Sequence, residues 1–386
     1  MSRFDDDLCL QLSQRESDGL LRRVREVPAR VLDLASNDYL GLSRDQSVIE
    51  AACDAARKYG AGARASRLVS GHNELHFLLE SEIARFKKGE SALLFSSGYA
   101  ANIGVISALA RRGDLLFCDK RNHASLIDAC QFAQNNGATV RYYSTTQKLR
   151  ALLQLNTTSS TRCADSHLFI VTDGVFSMDG DLCDWPQLVP LAREFGAVLI
   201  LDDAHGTGTL GASGRGTKEH FSVENNGADI VEIGTLSKAL GAQGGFVVGS
   251  QTLIDYLTNS SRSFVYSTAL NPSACGAALA SLRVLERESQ RLQKLRDNTQ
   301  ILANGLSERG FDVTQQPSPI LSVRIGDANR AVELSQKLLE LGVWCPAIRP
   351  PTVPRNTSRL RVTASSALSQ EDIARALAAF SALPKI

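Results

Sequence analysis

The sequence has no CxxC pair. Its eight cysteines, at 9, 53, 118, 130, 163, 183, 275 and 345, are scattered, and several sit inside apolar runs. That excludes a zinc ribbon and a disulfide scaffold, and it reads as buried thiols in a reducing compartment. No apolar stretch approaches the ~18 residues of a membrane span. The opening residues, MSRFDDDLCLQLSQRE, are acidic early and lack the apolar core of a secretory signal. The expectation is a cytoplasmic protein with no membrane partner. Charge excess is missing as well: 42 Lys+Arg stand against 41 Asp+Glu, which gives no electrostatic reason to expect nucleic acid. The histidines show no H-E-x-x-H spacing and no Cys/His cluster, so no metal is expected. There is no G-x-x-x-x-G-K-[ST], hence no P-loop.

What is present is a long chain with a pattern. With 386 residues, 43% of them hydrophobic, it can build one large core and a smaller second one. Residues 5–26 read as an amphipathic helix ending in Arg22, Arg23 and Arg25. SNDYLGLS (36–43) is turn-rich, 45–59 is helical, 60–71 is loop, and 74–88 is helical again. Between 91 and 249, short apolar runs (92–95, 115–118, 167–172, 197–201, 230–234, 245–248) alternate with helical stretches. This predicts an α/β fold with a mostly parallel sheet covered by helices on both faces. Helix dominates from 272 to 309. The remainder reads as strand, strand, helix, strand, strand, helix, a smaller α+β unit that packs with the N-terminal segment. The expected division is 1–45, 46–285 and 286–386.

Ligands of open α/β sheets sit beyond the carboxyl ends of the strands, and three runs end in usable chemistry. One places Asp173 and Ser177 past its end, the next Asp202 and His205, the third Thr235, Ser237 and Lys238. Singly, each is ordinary: an Asp closing a strand is often a cap, and a Lys in a Gly/Ser loop is usually solvated. Together they suit pyridoxal phosphate, an electron sink whose ring nitrogen must stay protonated. Asp202 would pair with that nitrogen, since an opposite charge favours the protonated form. His205 would meet the ring hydroxyl, Lys238 would supply the amine, and Thr235 would reach the phosphate. The turn at Ser97-Gly98 into a helix is a second phosphate device, although a plain strand-to-helix turn reads the same way. His123 beside Ser125 is by residue type an ordinary helix cap. GTGTLG (206–211) matches G-x-G-x-x-G, but ASGRGTKEH follows and keeps turning, so a dinucleotide site is rejected. Asp202 and Asp203 are adjacent on a strand and point to opposite faces, so they are no catalytic pair.

The strings SNDYLGLS, SRLVSGH, SGYAAN, NHASLIDA, DGVFSMDGD, DDAHGTGTLG, GTLSKALGAQGG, YSTALNP and IRPPTVP…RLRVT occur in this order from about 20 to 380. Taken together, they resemble the α-oxoamine synthases, fold-type-I pyridoxal-phosphate enzymes that join an amino acid to an acyl thioester with loss of carbon dioxide. The resemblance implies Lys238 as the Schiff-base lysine, Asp202 on the ring nitrogen, His205 on the ring oxygen with Ser177 near it, and His123 stacked on the ring. It implies Gly98, Tyr99 and Thr235 at the phosphate, and Thr268 at the phosphate of a neighbouring subunit, hence a homodimer with shared sites. Arg361 would hold the amino-acid carboxylate. Which of Arg22, Arg23 and Arg25 meets the acyl chain is left open. AIRPPTVPRNTSRLRVT (347–363) is most like the biotin-pathway branch, which uses L-alanine and a pimeloyl thioester. The alternatives are a branch using glycine or serine with another thioester, an aminotransferase of the same fold type, and a non-catalytic cofactor-binding subunit.

Overall fold

Sheet and helices alternate as the apolar runs require. The chain is described here by a computed structural model covering residues 2–24, 26–28, 30–157, 166–223 and 227–384; Arg25 and Cys163 lie outside the described residues. In chain order the first elements are α1 (Arg3–Ser17), β1 (Leu32–Asp33), α2 (Gln46–Tyr59), α3 (Glu74–Lys87), β2 (Ser91–Phe95), α4 (Gly98–Leu109), β3 (Leu115–Asp119), α5 (Ala124–Asn135), β4 (Thr139–Tyr143) and α6 (Thr146–Thr157). Then come β5 (Leu168–Asp173), α7 (Trp185–Phe195), β6 (Ala197–Asp202), α8 (Thr217–Phe221), β7 (Ile230–Thr235), β8 (Gly245–Gly249), and helices from Gln251 to Glu308. The last part holds β9 (Ile320–Gly326), a helix Ala328–Glu340, β10 (Val343–Trp344), β11 (Ala347–Ile348), β12 (Ser358–Thr363) and a helix Gln370–Ser381. Two compact units result. One comprises Met1–Ser36, Met178–Gly180 and Arg296–Ile386, the other Asn37–Ser177 and Asp181–Leu295.

The larger unit is built on a seven-stranded sheet in the order β2-β8-β7-β6-β5-β3-β4. Only β8 runs antiparallel to its neighbours. Residues one apart on a strand serve opposite faces. Val171 and Ile200 pack with Val105 and Leu126 on one side, while Ile170 and Leu199 pack with Phe117 and Leu188 on the other. Strands buried on both faces read as unbroken apolar runs, which is why β5 and β6 are visible in the sequence. β4 is not visible there. It is the edge strand, its TVRYY exposes Arg141, and polarity breaks the run.

The smaller unit holds the antiparallel sheet β11-β12-β9 and the short parallel pair β1-β10. Its element order corrects one expectation. Between 311 and 319 the chain forms no strand; Val313 makes only an isolated bridge to Val323. The N-terminal helix is also shorter than its pattern, ending at Ser17 rather than 26. Gly19, at φ 67°, adopts the left-handed conformation that breaks it. Among the described residues, no helix is long and apolar enough to cross a membrane. Cys118, Cys130, Cys183, Cys275 and Cys345 are buried, whereas Cys9 and Cys53 are exposed.

Candidate active site

Because β3, β5, β6 and β7 are parallel, their carboxyl ends open on one edge of the sheet. Asp173 and Asp202 lie side by side there as register partners. Lys238 follows the end of β7, in a turn closed by the Gly241 N–H donating to Lys238 O. Its Nζ lies 2.9 Å from His205 Nε2. On the other side of the imidazole, His205 Nδ1 lies 2.6 Å from the Tyr39 hydroxyl. An ammonium only donates. Nε2 therefore accepts from Lys238, and the proton of a neutral His205 sits on Nδ1, donated to Tyr39. Tyr39 is fully buried. The sequence reading gave it no role, though it stands in the turn-rich string SNDYLGLS.

Asp202 is held by two donors. The Ala204 N–H reaches Oδ1 at 2.9 Å, and Asn102 Nδ2 reaches Oδ2 at 2.6 Å. Asn102 is a second residue missed from sequence. Its signal was an amide on a helix, GYAANIGVISAL, that is otherwise almost wholly apolar.

His123 caps α5, accepting from the Ser125 N–H at 3.3 Å. Its backbone N–H donates to Asp173 Oδ2 at 2.6 Å, so the strand end fixes the residue. Burial pushes the His123 imidazole below its ordinary value; the Asp202 charge opposes this, and Lys238 adds to it. Neutral imidazole is therefore the resting form. Asp173 is pushed well above the usual carboxylate range, first by burial and then by Asp202 beside it.

The phosphate candidates also converge. Ser97 caps α4, accepting from the Ala100 N–H at 3.1 Å, which leaves the turn at Gly98 and Tyr99 at the helix start. A Cβ on Gly98 would stand 3.4 Å from Thr235 Cβ, so the glycine brings this turn against the end of β7. Thr235 Oγ1 donates to Gly244 O at 2.9 Å and lies 2.8 Å from Ser237 Oγ. A helix N-terminus with a hydroxyl beside it is a cradle for a phosphate, and pyridoxal phosphate fits this set of groups.

Three further predicted residues lie on other segments. Ser177 is half-buried, four positions past the end of β5. Thr268 is exposed and pairs across an isolated bridge with Ser66. Arg361 belongs to the smaller unit, on β12, buried, with Nη1 donating to Thr363 Oγ1 at 3.1 Å. That unit also encloses a cavity of about 620 Å³ lined by Leu21, Arg22, Arg23, Val27, Trp344 and Arg349, among others.

The GTGTLG run forms turns, not a helix start. Gly206 and Gly216 instead crowd the Asp203 carboxylate, where any Cβ would collide. The glycines serve the side of β6 facing away from Asp202.

Residues 29–380 match the family model "Aminotransferase class I and II". The 8-amino-7-oxononanoate synthase of Geobacter metallireducens is 43% identical over 390 residues, covering 97% of each chain. A serine palmitoyltransferase structure with PLP as internal aldimine is 28% identical with a TM-score of 0.88, covering 98% of this chain and 96% of that one. The 8-amino-7-oxononanoate synthase structure from Francisella tularensis is 30% identical with a TM-score of 0.75, covering 91% and 97%. The chain belongs to the class I and II aminotransferase family, in the branch of the 8-amino-7-oxononanoate synthases, and is a fold-type-I, pyridoxal-phosphate-dependent C-acyltransferase.

Proposed function

We propose that the chain condenses L-alanine with a pimeloyl thioester, forming 8-amino-7-oxononanoate and releasing carbon dioxide and the free thiol, in the cytoplasmic synthesis of biotin. The observation that carries this reading is the 43% identity, across 97% of the chain, to a curated relative of that name. Bound pyridoxal phosphate supplies an electron sink for the pair left when a bond to the amino-acid Cα breaks.

The chain's residues divide the remaining work. Lys238 is the point of covalent attachment. Displaced by the amino acid, its Nζ takes the Cα proton at close range, where proximity replaces a collision. Asp202 keeps the ring nitrogen protonated. His205 and Ser177 would hold the ring oxygen, and His123 would pack against the ring. The N–H groups of Gly98 and Tyr99, with Thr235, hold the phosphate. Thr268 serves the phosphate of a second copy, so the working unit is a homodimer. Arg361 would hold the alanine carboxylate and so orient the amino acid in the site.

The cavity of the smaller unit suits the acyl chain. Leu21, Val27 and Trp344 offer apolar wall, and Arg22 and Arg349 offer cations, while Arg23 pairs at 2.8 Å with Glu16, which lines the same cavity. A pimeloyl group has both a long apolar run and a terminal carboxylate; an acetyl group has neither. Arg22→Met and Arg349→Met should raise KM for the pimeloyl thioester, and an unchanged KM removes the cavity from this role.

Assay of alanine, glycine and serine against pimeloyl and acetyl thioesters tests the whole reading. Alanine with pimeloyl thioester should win. Preference for glycine with acetyl thioester replaces it by a glycine C-acetyltransferase. Turnover with a keto-acid acceptor and no thioester makes it an aminotransferase, and silence with every pair leaves a cofactor-binding subunit. One methyl in a pocket is worth only ~1–3 kcal/mol, so the thioester preference is the sharper discriminator.

A further inference from the structure

Asn102 stands between the two residues assigned to the cofactor ring, and the donor count around it is determinate. It is buried at 1% exposure on α4. Its Nδ2 donates 2.6 Å to Asp202 Oδ2 and 2.8 Å to Ser125 Oγ. A carboxylate only accepts, so the amide orientation is fixed: NH₂ faces Asp202, and both of its hydrogens are used. Asn102 Oδ1 is left buried with no partner among the described residues, a cost that the two donated bonds offset. Ser125, also 1% exposed, accepts from Asn102 and so turns its own hydrogen away from it. Ser125 Oγ lies 2.8 Å from His123 Nδ1, which already accepts the Ser125 N–H at 3.3 Å. Nδ1 therefore carries a lone pair, and the proton of neutral His123 sits on Nε2. The groups facing this imidazole are Asp202, Asp128 and Lys238.

We infer that Asn102 is a positioning residue: its amide clamps the Asp202 carboxylate in one orientation and, through the Ser125 hydroxyl, fixes His123 as the tautomer protonated on Nε2. The inference rests on the reading that Asp202 pairs with the ring nitrogen and His123 lies on the ring. Residue type has a physical reason. Two N–H donors are needed at one buried point. A lysine there would supply them, but its positive charge would satisfy Asp202 and compete with the protonated ring. A neutral amide orients the carboxylate and leaves its charge for the cofactor.

The test uses purified holoenzyme with two readouts besides turnover. Ring-nitrogen NMR of ¹⁵N-histidine-labelled protein, assigned with a His123→Phe variant, should show His123 protonated on Nε2; protonation on Nδ1 overturns the inference. Absorbance titration should give a cofactor dissociation constant about tenfold weaker in Asn102→Leu and about threefold weaker in Ser125→Ala. The double variant should be weakened by less than the product of the two single effects, since the amide acts on His123 through the serine. An unchanged constant in Asn102→Leu, or two effects that multiply, overturns it. If Asn102→Leu does not fold, Ser125→Ala decides: a second His123 tautomer should appear, and a single unchanged one overturns the inference. Lys238→Ala is the control. Retention of the lysine-bound cofactor absorbance there brings down the site reading itself, whereas its loss with a silent Asn102→Leu removes only this inference.

Discussion

Asp202 and Asp203 follow one another at the end of β6, both buried, and their surroundings differ in kind. Asp202 is met by two neutral donors, an amide and a backbone N–H. Asp203 is met by a cation. Lys87 Nζ lies 2.8 Å from its Oδ2 and also pairs with Glu232, which Lys218 reaches at 2.7 Å. Thr217 Oγ1 donates to Asp203 Oδ1 at 2.6 Å. Burial drives Asp203 above the usual carboxylate range, Lys87 pulls against it, and Glu232 adds to it. One side of the strand is a closed ion network that anchors the 203–217 loop. The other keeps a carboxylate oriented by neutral groups, with no ion pair among the described residues. The pairing of charges, not burial, separates scaffold from site.

The comparison breaks most visibly at Lys238. Lys238→Ala should lose the visible absorbance of lysine-bound cofactor and about three orders of magnitude or more in kcat, as removal of an attachment point and a base requires. Full activity ends the proposal. Asp202→Asn should bind cofactor yet turn over about 100-fold more slowly, with little change in melting temperature; near-normal rates take Asp202 out of its role.

The opposite face should respond in the opposite currency. Lys87→Met leaves the buried Asp203 without a cation and Glu232 with Lys218 alone, and should cost about 3–5 kcal/mol of stability, with kcat per folded molecule nearly unchanged. Combining it with Asp203→Asn and Glu232→Gln should recover much of that loss, because these sites share one network. Chemical denaturation with parallel active-site titration separates the two effects, and a kcat defect at constant stability would erase the distinction between the faces.

Smaller effects sharpen it. Tyr39→Phe removes the hydroxyl from His205 Nδ1 and should cost about 1 kcal/mol, read mainly in kcat. His123 has the smallest signature. Its folded-state imidazole titrates below the ordinary value because it is buried. The unfolded chain therefore takes up that proton first as the pH falls. Stability is fully present above about pH 6.5, the unfolded value, and declines as the pH falls toward the folded one. His123→Phe should flatten part of that decline, while His76 and His72, depressed by burial too, still contribute. An unchanged slope shows that His123 titrates alike in the folded and the unfolded protein.

The α/β class was legible because β5 and β6 are buried on both faces and cannot hide their apolar runs. So was the chemistry past their ends, since Asp202, His205, Thr235 and Lys238 each stand within a few residues of a strand terminus. β4 was not legible, because an edge strand exposing Arg141 lacks the pattern. The end of α1 was missed because the apolar spacing outruns Gly19.

By itself the sequence determined which residue types stand at the carboxyl end of each strand, and that adjacent aspartates must face apart, because pleating alternates side chains whatever the fold. It could not decide which of those two aspartates would meet Lys87, nor that Tyr39 and Asn102 would close on His205 and Asp202 from segments 166 and 100 residues away. Those partnerships depend on which helix crosses which strand end. Only the packed arrangement of the sheet and its covering helices fixes that crossing.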